Sequence, residues 1–244
     1  MPRIASIATM PTRSETFQKV VYSILPQVDF FYVFLDNFDD VPSFIKCEDK
    51  IVINSSREKG ELHSSGRFLP LNSINTPSVL IMIDDDIEYP ENYVSVLVEN
   101  LAILSGNAVV GVHGRRFRPP YQSYVTDTTC ADFWDAQTVQ TTVDEIGSGT
   151  CAFLSDTMNF NVREWAHHDA NDIQLAIEAQ NRGIPRICVK RPHGWLRPYA
   201  TNQADSLWIK TKADSSRQTA LMRSLMLTEP RNGASSIVME RAGL

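Results

Sequence analysis

Val79-Leu80-Ile81-Met82-Ile83 runs without a break into Asp84-Asp85-Asp86. A short, uninterrupted apolar run ended by a polar break has the signature of a strand buried on both faces, as in a parallel sheet. Such a strand delivers the residues after it to the carboxyl edge of the sheet, where open α/β sheets bind their ligands. With the backbone still extended, Asp84 and Asp86 share one face and Asp85 takes the other. Three adjacent carboxylates repel one another and are costly to desolvate. A hard cation such as Mg²⁺ or Mn²⁺, which prefers oxygen ligands, relieves both costs. The plainer alternative is a solvated acidic turn before a helix. An EF-hand is excluded, because its ligand spacing and its loop glycine are missing.

Upstream, residues 4–8 form a short apolar first strand and residues 9–13, Thr-Met-Pro-Thr-Arg, a loop. Ser14 suits a helix N-cap, with Phe17, Val20, Val21 and Ile24 following at helical spacing. Residues 30–35 and 51–53 read as the second and third strands, the second closing in Asp36-Asn37. A polar loop with Ser64, Ser65, Gly66 and Arg67 then leads into the central strand. Downstream, Pro90 suits the first turn of a helix whose apolar face is Val94, Leu97, Val98, Leu101 and Leu104. Residues 108–112 form a strand ending in His113, and residues 115–144, without a clear period, are expected to be irregular structure over a site. Gly147-Ser148-Gly149-Thr150 is a tight turn before an apolar strand at 151–154. Asp169 caps a helix with Asp172 in its first turn, and residues 186–190 are a last strand, followed by His193-Gly194-Trp195. Alternation of strands and helices at this spacing predicts a mainly parallel α/β sheet flanked by helices. Beyond Tyr199 the character changes: residues 200–244 read as a helical extension, amphipathic at 215–227 and loosely held at the end.

A chain of 244 residues with 43% hydrophobic and 21% charged residues can fill one α/β core. A net charge of −6 argues against a general nucleic-acid footprint, though not against a local basic groove. The four cysteines contain no C-x-x-C pair, and Cys151 and Cys188 sit in apolar runs as core residues of a reducing compartment. With no signal-peptide pattern and no run long enough to span a membrane, a cytoplasmic protein is expected.

The order of these motifs resembles the GT-A glycosyltransferases, most closely family 2 and its small bacterial or phage members. The resemblance covers roughly residues 4–195 and rests chiefly on Ile83-Asp84-Asp85-Asp86, on Gly147-Ser148-Gly149-Thr150 and on the Asp172 helix. It implies a GT-A catalytic domain over residues 1–199 that moves a sugar, with inversion, from a nucleotide donor such as a UDP-sugar to a hydroxyl acceptor, using Mn²⁺ or Mg²⁺. By the same resemblance Thr9, Pro11, Arg13 and Asp36 line the nucleotide pocket and Arg67 approaches the base or diphosphate. Asp84 binds the ribose, with Asp85 beside it, and Asp86 holds the metal with His193 as a further ligand. Asp172 is the general base. His113, residues 147–150 and Trp195 are candidate contacts to phosphate or acceptor.

Each residue also has a plainer reading. Asp172 near a helix start is favoured by the helix dipole alone. The glycine turn can be only a turn, Trp195 can be packing, and His113 can be a loop histidine satisfied locally. Trp134 and Trp165 are expected in the core. A surface glycan is the first acceptor expected. Phage DNA with hydroxymethylated bases is the second, through a patch of Arg115, Arg116, Arg118, Tyr121 and Tyr124. A Mg²⁺-dependent phosphohydrolase or nucleotidyltransferase also places Asp-x-Asp after a strand. A phosphatase of that kind wants the pair after the first strand, where this chain has Thr9-Met10-Pro11. A non-catalytic nucleotide-sugar-binding domain would keep the pocket and need no base.

Overall fold

The computed structural model describes residues 1–199 and 206–227. Its strands, in chain order, are β1 (Arg3–Thr9), β2 (Phe30–Leu35), β3 (Ile51–Ser55), β4 (Val79–Ile83), β5 (Ile87–Glu88), β6 (Val109–Gly111), β7 (Gly114–Phe117), β8 (Thr128–Ala131), β9 (Thr141–Val143), β10 (Glu145–Ile146), β11 (Thr150–Leu154), β12 (Arg186–Cys188) and β13 (Arg197–Pro198). The helices are α1 (Ser14–Ile24), α2 (Ser56–Lys59), α3 (Tyr93–Ile103), α4 (Asn171–Asn181), α5 (Leu207–Ala213) and α6 (Ser216–Leu227).

Eight strands form the main sheet in the order β3-β2-β1-β4-β11-β6-β12-β9. The β3-β2-β1-β4 half is parallel throughout. The other half is mixed, because β11 runs antiparallel to both β4 and β6. The fold is therefore α/β as expected, and mainly rather than wholly parallel. All five residues of β4 are buried. Ile81 and Ile83 pack with Phe17, Val20, Leu97 and Leu101 of α1 and α3, whereas Leu80 and Met82 meet Phe34, Phe68 and Phe153 on the opposite face. Burial on both faces is why β4 reads as a continuous apolar run instead of an alternation.

Several boundaries differ from expectation for local reasons. Residues 63–72 wind into a 3-10 run and are not an open loop; Phe68, Leu69 and Leu71 anchor it in the core. The segment at 115–144 is not irregular: β8 pairs antiparallel with β7, and β9 adds to the sheet edge. These strands are short and rich in Thr, so neither alternation nor an apolar run announces them. Asp169 is not the cap of α4, since Ala170 holds that position; Asp169 instead pairs with Arg217 of α6 at 2.5 Å. The expected helix at 215–227 is α6, and its Met222 and Leu225 pack with Ile173 and Ala176 of α4. The expected loosely held end, from residue 228 on, lies outside the described residues.

Candidate functional site at the carboxyl edge of the sheet

The chain leaves β1 toward β2 and β3 on one side, and β4 returns to pair with β1 on the other. Loops after β1 and β4 thus diverge at a topological switch point, where open sheets leave a crevice. A cleft of about 780 Å³ opens there, lined by Thr9, Arg13, Asp36, Arg67, the three aspartates, His113, the Gly147–Thr150 turn and Asp172. Residues from seven separate segments therefore converge on one cavity.

Asp84 to Asp86 do not continue the strand. β4 ends at Ile83 and a turn follows, so side-chain alternation does not apply. The two outer carboxylates go to different arginines. Asp84 Oδ1 accepts from Arg67 Nη1 at 2.5 Å, and Asp86 Oδ2 accepts from Arg13 Nη1 at 2.9 Å. Both arginines are buried, at 5% and 9% exposure, and together they match two of the three negative charges. Burial, and then the charges of Asp86 and Asp84, push the Asp85 carboxyl up to about 7. Burial and the Asp84 charge lift Asp86 to about 6, against the pull of Arg13. An oxygen-only donor set, crowded and desolvated, is the kind a hard divalent cation takes.

Arg67 also donates to the carbonyls of Ile83, Ser148 and Ser64, so one buried guanidinium ties β4, the glycine turn and the 3-10 run together. Tyr89, fully inside the core, accepts from the Asp84 backbone N–H at 2.8 Å and donates to the Gly149 carbonyl at 2.7 Å. Gly149 lies so close to Asp84 that a Cβ there would fall 1.8 Å from its Oδ2. The turn also holds Asp172, whose Oδ1 accepts from the Ser148 N–H at 2.8 Å and the Ser148 hydroxyl at 2.7 Å. On the other side, Asp36 is 6% exposed; its Oδ2 meets His63 Nδ1 at 3.2 Å, while its Oδ1 is buried without a hydrogen-bond partner.

The remaining candidates divide. His113 lines the cleft, its backbone fixed by Thr150 Oγ1 and the Gly147 N–H. Burial and the Arg115 charge lower its pKa, favouring the neutral imidazole. Pro11, His193 and Trp195 do not line the cleft. Pro11 opens an exposed 3-10 turn, and His193 is exposed on the turn before β13. The indole of Trp195 lies 5.7 Å from the Tyr93 ring and donates to Asn92, so it packs on α3. Trp165 is buried as expected, but Trp134 lines the cleft at 38% exposure. Of the basic-aromatic residues, Arg115 and Tyr124 line the cleft but are buried around Glu145, with the Tyr124 hydroxyl 2.7 Å from its Oε1, whereas Arg116 and Arg118 are exposed.

Sequence reasoning passed over Tyr89, His63, Cys130, Asp132 and Trp208, all of them in or against the cleft. Tyr89, five residues after Asp84, was the one within sight of the motif. Trp208 sits in the extension, where its α5 helix comes over Arg115; the guanidinium lies 4.6 Å from the indole centroid. No family model matches this sequence, and no curated protein is significantly similar to it.

Proposed function

We propose that this protein is a metal-dependent, inverting glycosyltransferase that moves a sugar from a nucleotide donor, a UDP-sugar being the first choice, to a hydroxyl acceptor on a glycan. The observation that carries the reading is the carboxylate turn at the switch point, where three aspartates face two buried arginines. Asp84 and Asp86 would hold Mn²⁺ or Mg²⁺, which when bound supplies charge to the leaving diphosphate. Asp36, with one buried carboxylate oxygen unpartnered, suits an N–H of the nucleotide base. Arg13 and Arg67 lie on both sides of the turn, within reach of a diphosphate.

Asp172 then takes the acceptor proton. Its Oδ1 is committed to Ser148, which fixes the carboxylate and leaves Oδ2 for that task. The acceptor oxygen bonds to the anomeric carbon, the carbon–oxygen bond to the diphosphate breaks, and the nucleoside diphosphate leaves. One displacement inverts the anomeric carbon.

The test is thermal stability with UDP and other nucleoside diphosphates, with Mn²⁺ and with EDTA. Stabilisation that needs the cation and is lost in Asp86→Asn is expected, because a ligand of the native state raises apparent stability by mass action. Equal stabilisation in EDTA would overturn the metal-bridged reading. Mass spectrometry of glycan acceptors incubated with the donor that responds then reads transfer itself.

A further inference from the structure

Three side chains that line the cleft are not used together by the proposed transfer. His113 precedes β7, Cys130 lies on β8 and Asp132 comes just after it. Cys130 Sγ is 4.0 Å from His113 Nδ1 and 3.2 Å from Asp132 Oδ1, and His113 Nδ1 is 3.8 Å from Asp132 Oδ1. Around a tetrahedral zinc ion, with bonds of about 2.0–2.3 Å, such ligand atoms sit roughly 3.3–3.6 Å apart. The three donors are therefore within a few tenths of an ångström of that arrangement.

We propose that His113, Cys130 and Asp132 form a second metal site, distinct from the carboxylate turn and selective for a thiophilic divalent ion such as Zn²⁺. The donor types decide the selectivity: thiolate and imidazole suit zinc and cobalt, whereas Mg²⁺ requires oxygen. The ligands are held by their backbones rather than by chance proximity. His113 N–H donates to Thr150 Oγ1 at 3.1 Å, and its carbonyl accepts from Gly147 N–H at 2.9 Å. Cys130 is opposite Arg115 in the β7-β8 ladder, and the Asp132 carbonyl accepts from Arg191 at 2.8 Å. Cys130 is free and exposed, so it is available to an ion from solvent. Three protein ligands with the cleft in front leave a fourth position open for water or an acceptor oxygen. On binding, the Cys130 S–H bond breaks, the sulfur bonds to the metal and the proton goes to the buffer. The occupied site would clamp the β7-β8 hairpin onto the Gly147 turn.

Titration of the metal-free protein with Co²⁺ tests this. One equivalent should produce a thiolate-to-cobalt charge-transfer band that Zn²⁺ abolishes and excess Mg²⁺ leaves unchanged. Cys130→Ser should remove the band, and His113→Ala and Asp132→Asn should each weaken cobalt binding at least about tenfold. Cys47→Ser and Asp86→Asn should keep it, which separates this site from the carboxylate turn and from the proposed transfer. Should Cys130→Ser not fold, alkylation of wild-type Cys130 read by mass spectrometry replaces it; Zn²⁺ should slow the reaction at least tenfold. No band in the wild type, a band surviving Cys130→Ser, unchanged affinity in His113→Ala and Asp132→Asn, or alkylation indifferent to Zn²⁺ would each overturn the site.

Discussion

In the proposed transfer Asp172 takes the acceptor proton while Ser148 holds its carboxylate in place. Asp172→Asn keeps an oxygen for both Ser148 donors, so the protein should fold and take up nucleotide normally. Transfer should fall by roughly two to four orders of magnitude, the usual contribution of a placed acid–base group. Turnover at the wild-type rate would remove Asp172 from the reaction. Gly149 is constrained by space and not by conformation. In Gly149→Ala the new methyl would occupy the position of the Asp84 carboxylate, forcing it off Arg67. Cation-dependent stabilisation by nucleotide should disappear in that variant; retention of it would show that Asp84 can move without loss. Glu145 carries a different signature. It is 1% exposed, its Oε2 has no partner, and burial above all pushes its carboxyl up to about 8. A folded-state value above the unfolded one contributes stability that is fully present below about pH 4.3 and is lost as pH rises through 8. Melting temperatures across pH 5 to 9 should therefore fall more steeply for the wild type than for Glu145→Gln, and parallel curves would refute this.

Among the elements, those with one strong pattern were readable and those that borrow stability from neighbours were not. β4 was legible because burial on both faces leaves only apolar residues, and α1 and α6 because one face of each is apolar. The pattern stops being informative one residue beyond β4: side-chain alternation does not extend into Asp84 to Asp86, because the backbone turns there, and the partners of Asp84 and Asp86 are set by Arg67 and Arg13 from distant segments. β8 and β9 escaped notice because Thr-rich strands are defined by pairing and not by pattern. The antiparallel direction of β11 is likewise a property of the sheet. It also explains why the glycine turn at its start reaches the carboxylates at the end of β4: Thr150 pairs with Ile83. Nothing in the sequence placed α5 over the cleft. Trp208 lines it while stacking on Arg115, so Trp208→Ala should raise KM for the acceptor and leave nucleotide-dependent stabilisation intact. An unchanged acceptor KM would make the indole a cover for Arg115 alone.

For the molecule as a whole, the sheet divides the labour suggested for the cleft. The parallel half supplies Thr9, Arg13, Asp36 and the aspartates, and the mixed half supplies His113, the glycine turn and the approach to Asp172. That division was legible as an order of motifs, but the exclusion of His193 was not, since a position after the last strand does not say which way the following turn faces. Among the described residues no helix is long and apolar enough to cross a membrane. Nucleoside diphosphate and Mn²⁺ at about 100 times Kd should together add roughly 2.7 kcal/mol of apparent stability, and a much smaller gain would mean that nucleotide is not the ligand. Finally, β4 has strands on both sides whose partners come from about seventy residues away in either direction: Ile83 is in register with Ile7 and with Thr150. Its amide hydrogens cannot meet solvent through fraying of an edge. In deuterium exchange, residues 80–83 should be among the last to be labelled, at a rate set by global unfolding. The carboxylate turn thus hangs from the least yielding strand of the sheet, and its geometry should persist until the molecule as a whole opens.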